Sequence, residues 1–112
     1  MGKKNVYPED DIGLLDDIEL LTKTKTKVKE PKLYKVVMHN DNYTTMNFVV
    51  EVIRIVFHKP AAEATRIMLE VHNKGRAIVG IYPYDIAITK IDQVHQLAKE
   101  NGYPLRCSCE EA

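Results

Sequence analysis

Between residues 33 and 110 the apolar positions change period several times, and each change marks an element. Leu33 to His39 (LYKVVMH) is short, rich in Val and apolar on both faces, which predicts a central β-strand. The next run, MNFVVEVIRIVFHK, holds so many β-branched residues that propensity alone would make it strand. Its polar positions decide otherwise: Asn47, Glu51, Arg54 and His58 recur at steps of 4, 3 and 4, one solvated stripe on a helix but scattered over both faces of a strand. A helix is therefore predicted, with Thr44 or Thr45 as its N-cap. A second helix has Pro60 in its first turn and Gly75 as its C′ residue. Within it Glu63, Arg66, Glu70 and Asn73 face water, and Ala64, Ile67, Met68 and Val71 form the buried stripe. RAIVGIY (76–82) reads as a strand broken by Pro83. A third helix is expected from Asp85 to Asn101, before Gly102, with Ile91, Val94, Leu97 and Ala98 toward the core. PLRCSCEE alternates Leu105, Cys107 and Cys109 against Arg106, Ser108 and Glu110, the mark of a strand with one covered face. The order β-α-α-β-α-β predicts an α+β fold: a small sandwich with a three-stranded antiparallel sheet and three helices on one side.

Residues 1–31 differ from the rest. PEDDIGLLDDIELL is acidic with some apolar residues, and TKTKTKVKEP offers no face apolar enough to bury, so a disordered N-terminal extension is expected before a core domain at 32–112. Ile12, Leu15 and Ile18 recur at helical spacing; a short helix formed on meeting a partner and a plain disordered tail are both open readings. The chain has 112 residues, room for one domain, and 16 Lys plus Arg balance 16 Asp plus Glu, so no net field would hold nucleic acid or an anionic membrane. No run approaches the length of a membrane span, and no apolar stretch follows the charged N-terminus, so a cytoplasmic location is expected. Cys107 and Cys109 form neither a CxxC motif nor half a zinc ribbon and are expected to be buried, reduced thiols.

The segment HNDNYTTMNF (39–48) concentrates short polar side chains where a tight turn would suffice. It opens the first helix, while Met68 and His72, four residues apart, stack on one face of the second. Because both helices fold on the same sheet, Asn40, Asp41, Asn42 and Thr44 can lie near His72. Met46, Val49, Met68 and Val71 would then wall an apolar recess under a rim of hydrogen-bond acceptors. Amide oxygens, a carboxylate and a neutral imidazole favour a donor-rich cation, and an ammonium joined to a bulky apolar side chain is the start of a polypeptide. The same residues also suit a plain turn and cap, with His72 satisfied locally. Catalysis is the weaker reading: no Ser or Cys sits in a nucleophile motif, and neither HExxH nor GxxxxGK[ST] occurs. Neither a catalytic residue nor a cofactor is expected. A metal site at His39, Asp41 and His72 is not demanded by spacing.

These residues resemble those of the ClpS family, the adaptors that hand proteins with destabilising N-terminal residues to the ClpAP protease. The likeness spans residues 32–110: YKVVMHNDNYTTMNFVVEVI, ATRIMLEVHNKGRAIVGIY, ITK in the third helix and the closing NGYPLRC. It implies a pocket for an N-terminal Leu, Phe, Tyr or Trp. Asn40 and His72 would hydrogen-bond the α-ammonium, with the loop acid Asp41, followed by Asn42, acting through water. Met46 would guard the mouth and disfavour β-branched side chains, while Thr44, Val49, Met68, Val71, Leu105 and, from below, Met38 would line the pocket. Asp85 and Lys90 would meet the ClpA N-terminal domain or that of an equivalent Clp unfoldase. A monomer that binds N-degron proteins, no nucleic acid and no membrane is expected. The chain departs from the family pattern at Asn42, where a second acid is usual, at Thr45 for Pro, at Asp85 for Glu, and at His39. A small RNA- or ribosome-associated α+β module is the alternative; charge balance and the lack of an Arg-rich aromatic strand argue against it.

Overall fold

The computed structural model describes residues 30–112. The expected extension at 1–31 therefore lies almost wholly outside the described residues. Lys32–Ala112 forms one compact unit. Its elements are β1 (Leu33–His39), α1 (Met46–Phe57), α2 (Ala61–Lys74), β2 (Arg76–Pro83), α3 (Tyr84–Glu100) and β3 (Arg106–Glu111), the predicted order. The sheet runs β2-β1-β3 with both pairings antiparallel. The strand apolar on two faces thus takes the centre: Val36 and Met38 join the core with the helices, and Val37, on the other face, is also buried. The β1–β2 register slips between Val36, opposite Gly80, and Val37, opposite Ile78. Val79 is left without a partner there, a β-bulge that bends an edge strand.

Packing overrides propensity in α1. Val49, Val52, Ile53, Val56 and Phe57 are buried, and the stripe of Asn47, Glu51, Arg54 and His58 is exposed. Thr45 is the N-cap, its hydroxyl accepting the Phe48 N–H at 3.2 Å. At the other end His58 takes a left-handed conformation (φ 57°), and the Lys90 ammonium donates to the Val56 carbonyl at 2.8 Å. That bond satisfies one of the last carbonyls of the helix and ties α1 to α3.

Pro60 is the N-cap of α2 rather than part of its first turn: its ψ of 159° is extended, and its carbonyl accepts the Ala64 N–H at 2.8 Å. Gly75 closes the helix at φ 89°, where a side chain would be strained, and its N–H donates to the Val71 carbonyl at 2.9 Å. No loop separates β2 from α3, which starts at Tyr84, one residue before the expected Asp85. Its buried residues are Ala87, Ile91, Val94 and Ala98; Leu97 is only partly covered. Ala87 escapes a reading based on bulk because so small a side chain carries little apolar signal. Leu105 is buried but precedes β3. Both cysteines are free; Cys107 is buried, Cys109 only half so. Burial, opposed by nearby Arg106, pushes the Cys107 thiol up to about 12.

Candidate functional site

The loop between β1 and α1 is held from within by Asp41. Its Oδ1 accepts the Tyr43 and Thr44 N–H groups at 2.8 and 2.7 Å, and its Oδ2 accepts the Thr44 hydroxyl at 2.8 Å. A carboxylate turning back on the two following amides is an Asx turn, and it fixes the loop before helix geometry begins at Met46. Burial, the largest influence, pushes the Asp41 carboxyl upward. The three bonds from Thr44 and Tyr43 outweigh it and hold the group below its ordinary range, so it is an anion at neutral pH.

The loop is also held from outside. The Asn40 N–H donates to the Gly75 carbonyl at 2.9 Å, joining the end of β1 to the C-terminus of α2, one turn from His72. At the other side of the loop Tyr103 packs on Phe48, with ring centroids 4.6 Å apart, and its hydroxyl lies 3.5 Å from that of Thr45. Tyr103 is set by the α3 terminus, where Gly102 at φ 78° lets the Tyr103 N–H reach the Ala98 carbonyl at 2.8 Å.

Between this loop and α2 opens a cavity of about 210 Å³ lined by Asn40, Asp41, Asn42, Thr44, Met46, Val49, Met68, Val71 and His72. Nine residues expected at the site thus come together around one space. An apolar cavity of ~150 Å³ is enough to hold benzene, whereas sites for drug-sized ligands begin near 300 Å³. The space therefore suits one large side chain. Val49, Met68 and Val71 are buried and supply its apolar depth, while Met46, 44% exposed, stands at the mouth. The polar lining is one ionised acid, two amides, a hydroxyl and an imidazole, so the rim is negative and rich in acceptors. Asp41 spends its acceptors within the loop; among the described residues the side chains of Asn40, Asn42 and His72 make no hydrogen bond and are open to a ligand.

Four expected residues lie elsewhere. Met38 and Leu105, placed in the pocket by resemblance, are absent from its lining: they are 0% and 4% exposed and belong to the core cluster. Met38 points to the helices with Val36, and apolar character cannot tell a cavity wall from the layer beneath. Asp85 is exposed in the first turn of α3, away from the cavity. Lys90 is half-buried, with its ammonium on the Val56 carbonyl and 5.6 Å from the centre of the Tyr82 ring. Gly75 and Tyr103, which position the loop, were not foreseen as site residues. Gly75 was legible only as a helix stop, and nothing local signals the partner of Tyr103. Among the described residues no group of three or more His, Cys, Asp or Glu could hold a metal, and no helix is long and apolar enough to cross a membrane.

Comparison with known proteins identifies the family. The family model of the ATP-dependent Clp protease adaptor protein ClpS matches residues 29–108. The ClpS adapter protein of Syntrophus aciditrophicus is 59% identical over 95 residues, which cover 85% of this chain and 89% of that protein. Its counterpart in Clostridium acetobutylicum is 53% identical over 89 residues, covering 80% and 88%. Among solved structures, Agrobacterium tumefaciens ClpS2 bound to L-phenylalaninamide superposes with a TM-score of 0.72 at 40% identity, covering 74% of this chain and all of that one. The cavity, the loop that rims it and these matches place the chain in the ClpS family of Clp protease adaptors.

Proposed function

We propose that this chain is a non-enzymatic adaptor that captures proteins by an N-terminal Leu, Phe, Tyr or Trp and delivers them to a Clp unfoldase and its protease. The observation that carries the reading is a cavity sized for one side chain whose rim sets amide, imidazole and hydroxyl acceptors around the anion Asp41. An amine and an apolar side chain on the same carbon fit both parts at once. The Agrobacterium relative supports this, because L-phenylalaninamide presents a free α-amine and a benzyl group.

Energetics assign the two parts different tasks. Burying one Leu or Phe side chain contributes roughly 1.5–3 kcal/mol, whereas micromolar affinity needs about 8 kcal/mol. Hydrogen bonds from the ammonium to Asn40 and His72, at about 1.5–3 kcal/mol each, supply much of the remainder. His72 can accept such a bond only as a neutral imidazole. Met46 at the mouth narrows entry, so side chains branched at Cβ are disfavoured. Asp85, exposed on α3, is the contact for the N-terminal domain of a ClpA-type unfoldase, and Lys90 supports that face from α3. The adaptor acts as a monomer in the cytoplasm.

The test is reconstitution with a ClpA-type unfoldase and its protease. Adding the chain accelerates degradation of a reporter that begins with Leu and leaves one that begins with Val unchanged. Equal rates with and without the chain would contradict the proposal.

A further inference from the structure

The face of the sheet turned away from the helices carries a feature the cavity does not use. Strand register sets Arg76, His39 and Arg106 directly opposite one another, one from each strand, in a single cross-strand row. They alternate with Ala77, Met38 and Cys107, which are buried in the core on the other face. Arg76 and Arg106 are exposed, and His39 Nε2 lies 2.7 Å from the Ser108 hydroxyl in the neighbouring row. One acid answers these groups: Glu110 pairs with Arg76 at 2.7 Å, and among the described residues Arg106 makes no ion pair.

Directly opposed side chains stand about 4.5–5.5 Å apart at Cβ, and like charges in that position destabilise a sheet. The central imidazole limits the cost by staying neutral: burial first, then Arg106 and Arg76, hold His39 below its usual range. The row is thus short of an anion, and it is continuous with the clamp. His39 immediately precedes Asn40, and Arg76 immediately follows Gly75, whose carbonyl holds the Asn40 N–H. An extended peptide advances about 3.3 Å per residue, so a chain anchored by its first residue at Asn40 and His72 can bring roughly its third to sixth residues onto this face.

We propose that Arg76, His39 and Arg106 form a second binding site, for the side-chain carboxylates of acidic residues a few positions after the substrate's N-terminal residue. This rests on the reading of the cavity as an α-amine clamp. RNA fits the face less well, because the neighbouring row is Ile78, Val37 and Ser108 and the next sets the acid Glu110 opposite Lys35, so that no Phe, Tyr or Trp in these rows offers a base a stacking platform.

Fluorescence anisotropy at low salt tests the site with a Leu-initiated peptide carrying Glu at positions 4 and 5 and its Gln-substituted twin. The wild-type chain binds the Glu peptide about two- to fivefold tighter, and salt screens the preference. The double variant Arg76→Gln, Arg106→Gln loses the preference but keeps its affinity for the Gln peptide, whereas Lys35→Gln, on the same face but outside the row, keeps both. Equal affinities in the wild type, a preference that survives the double variant, or an equal loss in Lys35→Gln would overturn the site. So would binding of single-stranded RNA in place of the peptide preference. An N-acetylated Glu peptide that binds as well as the free one would overturn the clamp instead, and a chain that binds neither peptide contradicts both.

Discussion

Replacing Asp41 separates the two tasks the structure gives it. Asp41→Ala removes acceptors for three hydrogen bonds, from the Tyr43 N–H, the Thr44 N–H and the Thr44 hydroxyl. Net contributions of about 0.5–1.5 kcal/mol per bond, at the low end because water reaches this loop, give a loss of about 1.5–3 kcal/mol. In a core of this size that lowers Tm by roughly 6–24 °C. Asp41→Asn keeps an oxygen at Oδ1 for the two amides, so its stability falls by less, but it deletes the charge. A carboxylate about 6 Å from a bound ammonium contributes about 0.7–2.8 kcal/mol for effective dielectric constants between 80 and 20. Peptide affinity therefore falls roughly 3- to 100-fold in Asp41→Asn with little loss of Tm. The pH dependence has a definite sign: the folded carboxyl titrates below the unfolded one, near 3.9, so its stabilisation is complete above that pH and fades as pH falls through the lower folded value. Calorimetry from pH 7 to pH 2 on the three proteins, with anisotropy at pH 7, measures both effects. An Asp41→Asn chain that binds peptide like the wild type would falsify the charged rim, and an Asp41→Ala chain as stable as the wild type would remove the Asx turn from the account.

Two further outcomes follow from contacts outside the cavity. Lys90→Met removes the ammonium from the Val56 carbonyl and from the Tyr82 ring, and lowers stability by about 0.5–1.5 kcal/mol in denaturant titration. Weaker unfoldase binding by this variant would then be partly indirect; unchanged stability would free Lys90 for direct contact. In a thiol-alkylation time course at pH 8, Cys109 reacts well before Cys107, whose thiol burial has pushed up to about 12. Equal rates would contradict the buried placement of Cys107.

The helices and the cavity were legible because each rests on local periodicity. The 4-3-4 steps of Asn47, Glu51, Arg54 and His58 overruled β propensity in α1, since solvation of one stripe is a packing demand that acts over the whole element. Met68 and His72 share a face by helix geometry alone, and the polar loop had to lie beside α1 because it opens that helix. The pattern was silent where pairing is decided across the fold. That the Gly75 carbonyl meets the Asn40 N–H, or Lys90 the end of α1, depends on how elements pack, and neither contact leaves a periodic trace. The row of Arg76, His39 and Arg106 depends on a register that includes the bulge at Val79, which a strand pattern cannot show. Met38 and Leu105 mark the same limit from the other side, because a residue under a pocket and a residue in its wall can have the same side chain.

The central claim is that recognition begins at a free α-amine, and one comparison addresses it directly. Anisotropy is measured with a Leu-initiated peptide and with the same peptide acetylated at its N-terminus, which leaves the apolar side chain intact and removes the charge and two N–H donors. Loss of hydrogen bonds to Asn40 and His72 predicts an affinity at least about a hundredfold weaker for the acetylated peptide. Equal affinities would contradict the account.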